Sequence, residues 1–125
     1  MSRHKSPTDA ELKLLDELWQ RGGQTVRELA TAVHRAPTSV QYRTVQVLLD
    51  RLEKKGLVTR DRSALPHRFD AAVDRSRFLG EELQTMADKV TDGALAPLLL
   101  NLAGRAQLSD DEKEQLRRLL EDEEE

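Results

Sequence analysis

Apolar residues return at helical spacing three times in the first half of the chain. Leu12, Leu15, Leu18 and Trp19 form the first run, which ends at the Gly22-Gly23 pair. Thr8 with Glu11 three residues on supplies a capping box, in which the two residues satisfy each other's free backbone N–H groups. A first helix is therefore expected from about Thr8 to Arg21. Thr25 and Glu28 repeat the box around Val26, Leu29, Ala30 and Val33, whose i, i+3, i+4, i+7 order predicts a short second helix ending near His34. Beyond Arg35-Ala36-Pro37-Thr38, which reads as a turn, Val45, Leu48, Leu49 and Leu52 predict a third helix that Gly56 stops.

The period then shortens. Leu57-Val58-Thr59-Arg60 leads into a polar loop with Asp61, Arg62, Ser63 and Pro66, and in the following run Phe69, Ala71 and Val73 share one face. This is the pattern of a hairpin with a basic tip. Three helices and then a hairpin, with a short helix and a turn ahead of the third helix, is the order of a winged helix-turn-helix, here assigned to residues 1–74. The expected fold class is mainly α with a small β-hairpin.

Residues 75–125 read as helices that need a partner. Phe78, Leu79, Leu83, Met86 and Val90 make an apolar stripe from Arg75 to Val90, and Asp92-Gly93 breaks it. The stretch from Ala94 to Ala103, with Leu95, Leu98, Leu99 and Leu102, is apolar around almost its whole circumference. A last capping box, Ser109 with Glu112, opens a helix carrying Leu116, Leu119 and Leu120. Three short helices make a thin core, and with no cysteine to staple them the expected solution is self-association through these leucines, Phe78 and Met86, in a three-helix dimerisation region. The competing reading folds the same helices back onto the first domain.

Charge separates the two parts. Residues 1–75 carry 14 Lys/Arg against 10 Asp/Glu, and residues 76–125 carry 6 against 13, so the whole-chain charge of −3 conceals a basic part and an acidic one. Only the first suits phosphate. No apolar run has membrane length and the start lacks an apolar leader, so a cytoplasmic protein without membrane insertion is expected. His4, His34 and His67 are scattered and no glycine-rich phosphate loop occurs, so neither an enzyme nor a metal or cofactor is expected.

On a helical wheel Arg43, Val47, Asp50 and Lys54 project opposite the leucines of the third helix, flanked by Thr44, Gln46 and Arg51. This is chemistry that double-stranded DNA accepts. Arg43 can reach a guanine edge or a phosphate, Gln46 an adenine, Thr44 a phosphate, and Val47 a thymine methyl. Asp50 would repel phosphate and is placed past the groove. Arg60, Arg62, His67 and Arg68 gather at the hairpin, where they can reach neighbouring phosphates or a minor groove. Arg3, His4 and Lys5 are a further basic cluster. The alternative is a solvated amphipathic surface, in a winged helix that serves as a protein-protein adaptor.

Several stretches resemble the penicillinase repressor family, which includes the β-lactamase, methicillin-resistance and copper-homeostasis repressors. They are Asp9-Ala10-Glu11-Leu12 with Trp19, Tyr42-Arg43-Thr44-Val45, and Leu49-Asp50-Arg51-Leu52-Glu53-Lys54-Lys55-Gly56-Leu57-Val58. Farther on come Asp92-Gly93, Leu99-Leu100-Asn101-Leu102, and Gln107-Leu108-Ser109 with Glu112 and Leu116. The resemblance implies a bacterial homodimer that represses by occupying palindromic operator DNA, with Tyr42, Arg43, Thr44, Gln46 and Val47 at the reading helix. For antibiotic-responsive members it also implies that repression ends when the dimerisation region is cut after a membrane-bound sensor protease is activated; Asn101-Leu102 lies where that cut would fall, the alternative being that Asn101 is a helix residue within a dimer core. Copper-responsive members rely on cysteines near the C-terminus, which this chain lacks, so direct copper sensing is not expected.

Overall fold

The computed structural model describes residues 5–105 and 107–123, apart from the side chains of Leu120, Asp122 and Glu123. Arg3 and His4 of the basic start therefore lie outside the described residues, as does the side chain of Leu120. The described elements run in the order α1 (Asp9–Arg21), β1 (Gln24–Thr25), α2 (Val26–Val33), α3 (Ser39–Lys54), β2 (Val58–Asp61), β3 (Arg68–Ala71), α4 (Arg75–Val90), α5 (Ala96–Arg105) and α6 (Asp110–Glu123). The chain divides into two units, between Glu82 and Leu83.

Each of the first three helices starts at a threonine. Thr8 accepts from the Glu11 N–H (3.2 Å) while the Glu11 carboxylate accepts from the Thr8 N–H (2.9 Å). Thr25 and Glu28 do the same at α2. At α3 the box is Thr38 with Gln41, a threonine assigned to the turn on sequence grounds. Gly22 ends α1 at φ +81°, in the left-handed region, and donates its N–H to the Leu18 carbonyl.

The core of the first unit lies where these helices meet a small sheet. Leu14, Leu15 and Leu18 of α1 pack with Leu29 and Ala30 of α2, with Val45, Leu49 and Leu52 of α3, and with Leu57, Val58, Phe69 and Val73. Of the expected stripe on α1, Leu15 and Leu18 lie in the core and Trp19 packs against it, but Leu12 does not. Leu12 is 37% exposed, whereas Leu14 is buried, because the inward face runs through 11, 14, 15 and 18 and its first place is held by a glutamate. Leu48 is only partly buried, packed against the core that Leu49 enters fully.

The hairpin proves to be part of a three-stranded antiparallel sheet. β1 pairs with β3 (Gln24 opposite Phe69, Thr25 opposite Arg68), and β3 pairs with β2 (Val58 opposite Ala71, Arg60 opposite Phe69). Two residues of β1 are too few to show a period of two, so the pattern of the chain predicts no strand there. Trp19 closes this side of the core by donating from Nε1 to the Val73 carbonyl (2.9 Å), and its ring meets Phe78 at 5.3 Å and 55°. The first turns of α4 thus belong with the first unit.

In the second unit only Ala87 is buried among the described residues. Its carbonyl accepts from the N–H groups of Thr91 and Gly93 and from the Thr91 hydroxyl, a cap completed by Gly93 at φ +90°. α5 buries none of its residues: Leu99, Leu100 and Leu102 are half exposed or more. Ser109 and Glu112 form the expected capping box at the start of α6.

Glu11 is the one acid fully buried among the described residues of the first unit. Lys55 Nζ, beyond the end of α3, donates to its Oε1 (2.6 Å) and to the Ser6 carbonyl (3.3 Å), while Oε2 is buried without a hydrogen-bond partner. Burial pushes the Glu11 carboxyl up, but the hydrogen bonds from Lys55 and Thr8 outweigh it and hold it below the usual carboxylate value. The pair ties the first turn of α1 to the end of α3. Removing one partner of a buried pair leaves an uncompensated charge, so Lys55→Ala is expected to cost about 3 kcal/mol at neutral pH. A group whose folded pKa is depressed stabilises above its unfolded value of 4.5 and loses that contribution as pH falls through the folded value. The gap between wild type and Lys55→Ala in urea unfolding should therefore close as the pH is lowered from neutral into the acid range. Parallel stability profiles would show that Lys55 and Glu11 are not coupled.

Candidate nucleic-acid interface

Burial of Val45, Leu49 and Leu52 fixes how α3 is rolled about its own axis. With those positions inward, Arg43, Thr44, Gln46, Val47, Asp50, Arg51 and Lys54 are exposed, as the wheel requires. Among the described residues no ion pair engages Arg43, Arg51 or Lys54. Val47 presents its methyls to solvent at 43% exposure. Tyr42 is only partly buried and packs against the core, with the Arg27 guanidinium 5.8 Å from its ring centroid. Arg27 gives no signal in the sequence, because it sits on α2 outside any periodic pattern. The stack brings a further exposed arginine to the same side.

Thr44 differs from expectation. Its hydroxyl donates to the Val40 carbonyl (3.0 Å), so the donor a phosphate would need is directed to the helix's own backbone.

The wing differs more. Arg60 is held on three sides: Nε donates to His67 Nδ1 (3.0 Å), Nη1 meets Asp50 Oδ1 (3.1 Å), and the guanidinium lies 5.0 Å from the Phe69 ring centroid. Arg62 grips Glu53 with both terminal nitrogens, at 2.9 and 3.0 Å. That grip lowers the Glu53 carboxyl below its ordinary value and raises the guanidinium above its own. Arg68 opens β3 at the tip end of the hairpin, opposite Asp61, but it also stands opposite Thr25 of β1, and on that side it pairs with Glu28 (3.5 Å) and donates to the Gly23 carbonyl. The basic hairpin is therefore a set of arginines already matched to acids or carbonyls of their own unit. Asp50, which would repel phosphate as a bare charge, is neutralised by Arg60.

Two hollows connect these parts. One of about 480 Å³ between α2, α3 and the wing is bordered by Arg27, Tyr42, Gln46, Arg60 and His67. A smaller one, about 220 Å³, is bordered by Arg43, Gln46, Val47, Asp50 and Arg60. Gln46 and Arg60 border both, so the reading face and the wing form one continuous surface. Among the described residues no three His, Cys, Asp or Glu side chains gather as a metal site would require. No described helix is long and apolar enough to cross a membrane.

The expected dimerisation residues are placed unevenly. Phe78 is occupied by Trp19, Leu83 and Leu98 are partly buried, and Leu79, Met86, Leu95, Leu99, Leu102, Leu116 and Leu119 are exposed in the single chain. Asn101 and Leu102 are both exposed and lie inside α5.

A capped helix with an outward polar face, preceded by a short helix and turn and flanked by a three-stranded antiparallel sheet, defines a winged-helix protein. The penicillinase repressor family profile matches residues 7–122, and the chain belongs to that family, a group of transcriptional repressors and not of enzymes. Among its relatives, the transcriptional regulator BlaI of Mycobacterium tuberculosis is 32% identical over 114 residues, covering 90% of this chain and 80% of that protein. The penicillinase repressor of Bacillus licheniformis is 24% identical over 115 residues, 92% of this chain and 89% of its own. The methicillin resistance regulatory protein MecI of Staphylococcus aureus is 25% identical over 113 residues, 90% and 91% of the two chains.

The cap of α3 positions its first turns, which carry Tyr42 and Arg43. Thr38→Ala is expected to destabilise the first unit by about 1 kcal/mol. It should also speed amide exchange at the start of α3 while leaving β2 and β3 protected, which hydrogen-exchange mass spectrometry resolves.

Proposed function

We propose that this chain is a transcriptional repressor of the bacterial cytoplasm that binds inverted-repeat operator DNA as a homodimer. The observation that carries the reading is the face of α3: Arg43, Gln46 and Val47 project from its N-terminal half, exposed and without acidic partners, on a helix whose opposite side is locked in the core. The N-terminal turns of a reading helix are the part that meets base edges. Arg43 suits guanine or phosphate, Gln46 adenine, and Val47 a thymine methyl, while Arg27, Arg51 and Lys54 suit the phosphates on either side.

The homodimer is supported by the apolar surface that α5 and α6 leave exposed in a single chain, a surface that water disfavours and a second copy would cover. The names of the relatives support this reading: one is a penicillinase repressor and another a methicillin resistance regulatory protein. Relief by a membrane-bound sensor protease, the route the resemblance implies, requires α5 to unwind at Asn101-Leu102, since a protease takes an extended chain and this bond is helical.

Selection of bound sequences from random duplex DNA by the purified chain is expected to enrich an inverted repeat. Enrichment of no sequence would overturn the repressor reading and favour a protein-protein adaptor. On the selected site Arg43→Ala and Gln46→Ala should each lose about 1–3 kcal/mol of discrimination at one base position per half-site. Wild-type discrimination in both variants would discard the contact assignment. Leu99→Asp is expected to sediment as a monomer and to lose tight operator binding; a dimeric Leu99→Asp would place the interface elsewhere.

A further inference from the structure

The acids on the outer side of α3 and the arginines of the wing are matched one to one. Asp50 and Glu53 are three residues apart on a helix, about 4.5 Å along its axis. Arg60 lies in β2, and Arg62 stands two residues on, just past the end of that strand. Arg60 meets Asp50, and Arg62 closes on Glu53 through both nitrogens. This fork-on-carboxylate geometry occupies the same pair of N–H donors that an arginine turns toward a phosphate.

We propose that the Arg62–Glu53 pair is a latch that enters the DNA complex closed, sets the wing against α3, and holds down sequence-independent attraction to DNA. The proposal rests on the DNA-binding reading above. Its physical basis is the balance of charge at the wing. For Arg62 to reach a phosphate it must abandon Glu53, leaving a bare carboxylate beside a polyanion. The attraction of Arg62 to the phosphate is offset by the repulsion of the uncovered Glu53, and the closed pair is the lower state. The module's affinity then comes from the unpaired cations of α2 and α3, which the operator sequence aligns, and the wing adds little that any duplex could use. Glu53 acts through Arg62 and is a positioning residue. Asp50 and Arg60, fixed further by His67 and Phe69, brace the same arrangement one step nearer the sheet.

The test is the salt dependence of binding to a duplex of random sequence, measured by fluorescence anisotropy with the full chain between about 50 and 200 mM salt, where each neutralised phosphate contributes about 0.9 to the slope of log K against log salt. Glu53→Gln opens the latch, and it is expected to bind several-fold tighter at the low-salt end with a slope steeper by about 0.9. The double variant Glu53→Gln/Arg62→Gln removes the pair as a neutral unit, and its slope should match the wild type. Thermal melts establish that both variants are folded, since an exposed pair contributes little to stability. A double variant whose slope is shallower by about 0.9 would show that Arg62 sits on a phosphate in the complex and would overturn the latch, as would an unchanged slope in Glu53→Gln. A wild-type chain that binds no duplex at any salt would instead remove the DNA reading, and the latch with it.

Discussion

The structure turns on the roll of α3. Val45, Leu49 and Leu52 are each 1% exposed or less, and they occupy one side of a helix whose residues follow every 100° or so. Turning α3 by a single residue would lift Leu49 into water and carry Asp50 toward the core. Exposing one buried leucine costs about 2 kcal/mol, and burying an unpaired carboxylate costs more. The direction of the outward face is therefore set from the other side of the helix: Arg43, Gln46 and Val47 point out because three aliphatic residues point in. Both ends of the helix are fastened, at Thr38 by its cap and at Lys55 by the buried Glu11.

Two kinds of ion pair serve this arrangement, and their surroundings decide what each can do. Glu11 is shut away from solvent, where its carboxylate is kept ionised by the partly exposed Lys55 ammonium and the Thr8 backbone, so losing either partner costs the fold more than losing a surface pair. Arg62 with Glu53 and Arg60 with Asp50 lie at the surface, where solvent screens them and their net contribution to stability is small. Their importance is to the long-range field. Each cancels a charge on the surface that α3 shares with the wing, beside which Arg43, Arg51 and Lys54 stay exposed without an ion pair among the described residues.

The second unit has the opposite character. α5 buries none of its residues, and Leu99, Leu100, Leu102, Leu116 and Leu119 stay exposed in the single chain, alongside the acidic first turn of α6. An acidic, leucine-rich unit has little to offer a phosphate backbone and much to offer another apolar surface, which is why the proposed reading gives association and DNA contact to different halves of the chain.

Helix positions and types were legible in the sequence because their signals are local. Thr8 with Glu11, Thr25 with Glu28 and Ser109 with Glu112 mark starts that the structure reproduces, and the spacing of Val45, Leu49 and Leu52 alone defines the outward face of α3. β1 could not be read, since two residues carry no period and pair with β3 only once the chain has folded. The inward turn of Glu11 was equally hidden: a charged residue at a capping position looks solvated until Lys55, 44 residues away in sequence, is brought beside it. The same holds for the wing, where composition shows a cluster of arginines but not that Asp50, Glu53 and Glu28 have already engaged them. Periodicity and caps act over one or two turns, so the order of residues is enough to say which helices form and which face is apolar. Charge pairing acts between residues that only folding brings together, and it decided which basic residues beside the wing are left without an acidic partner.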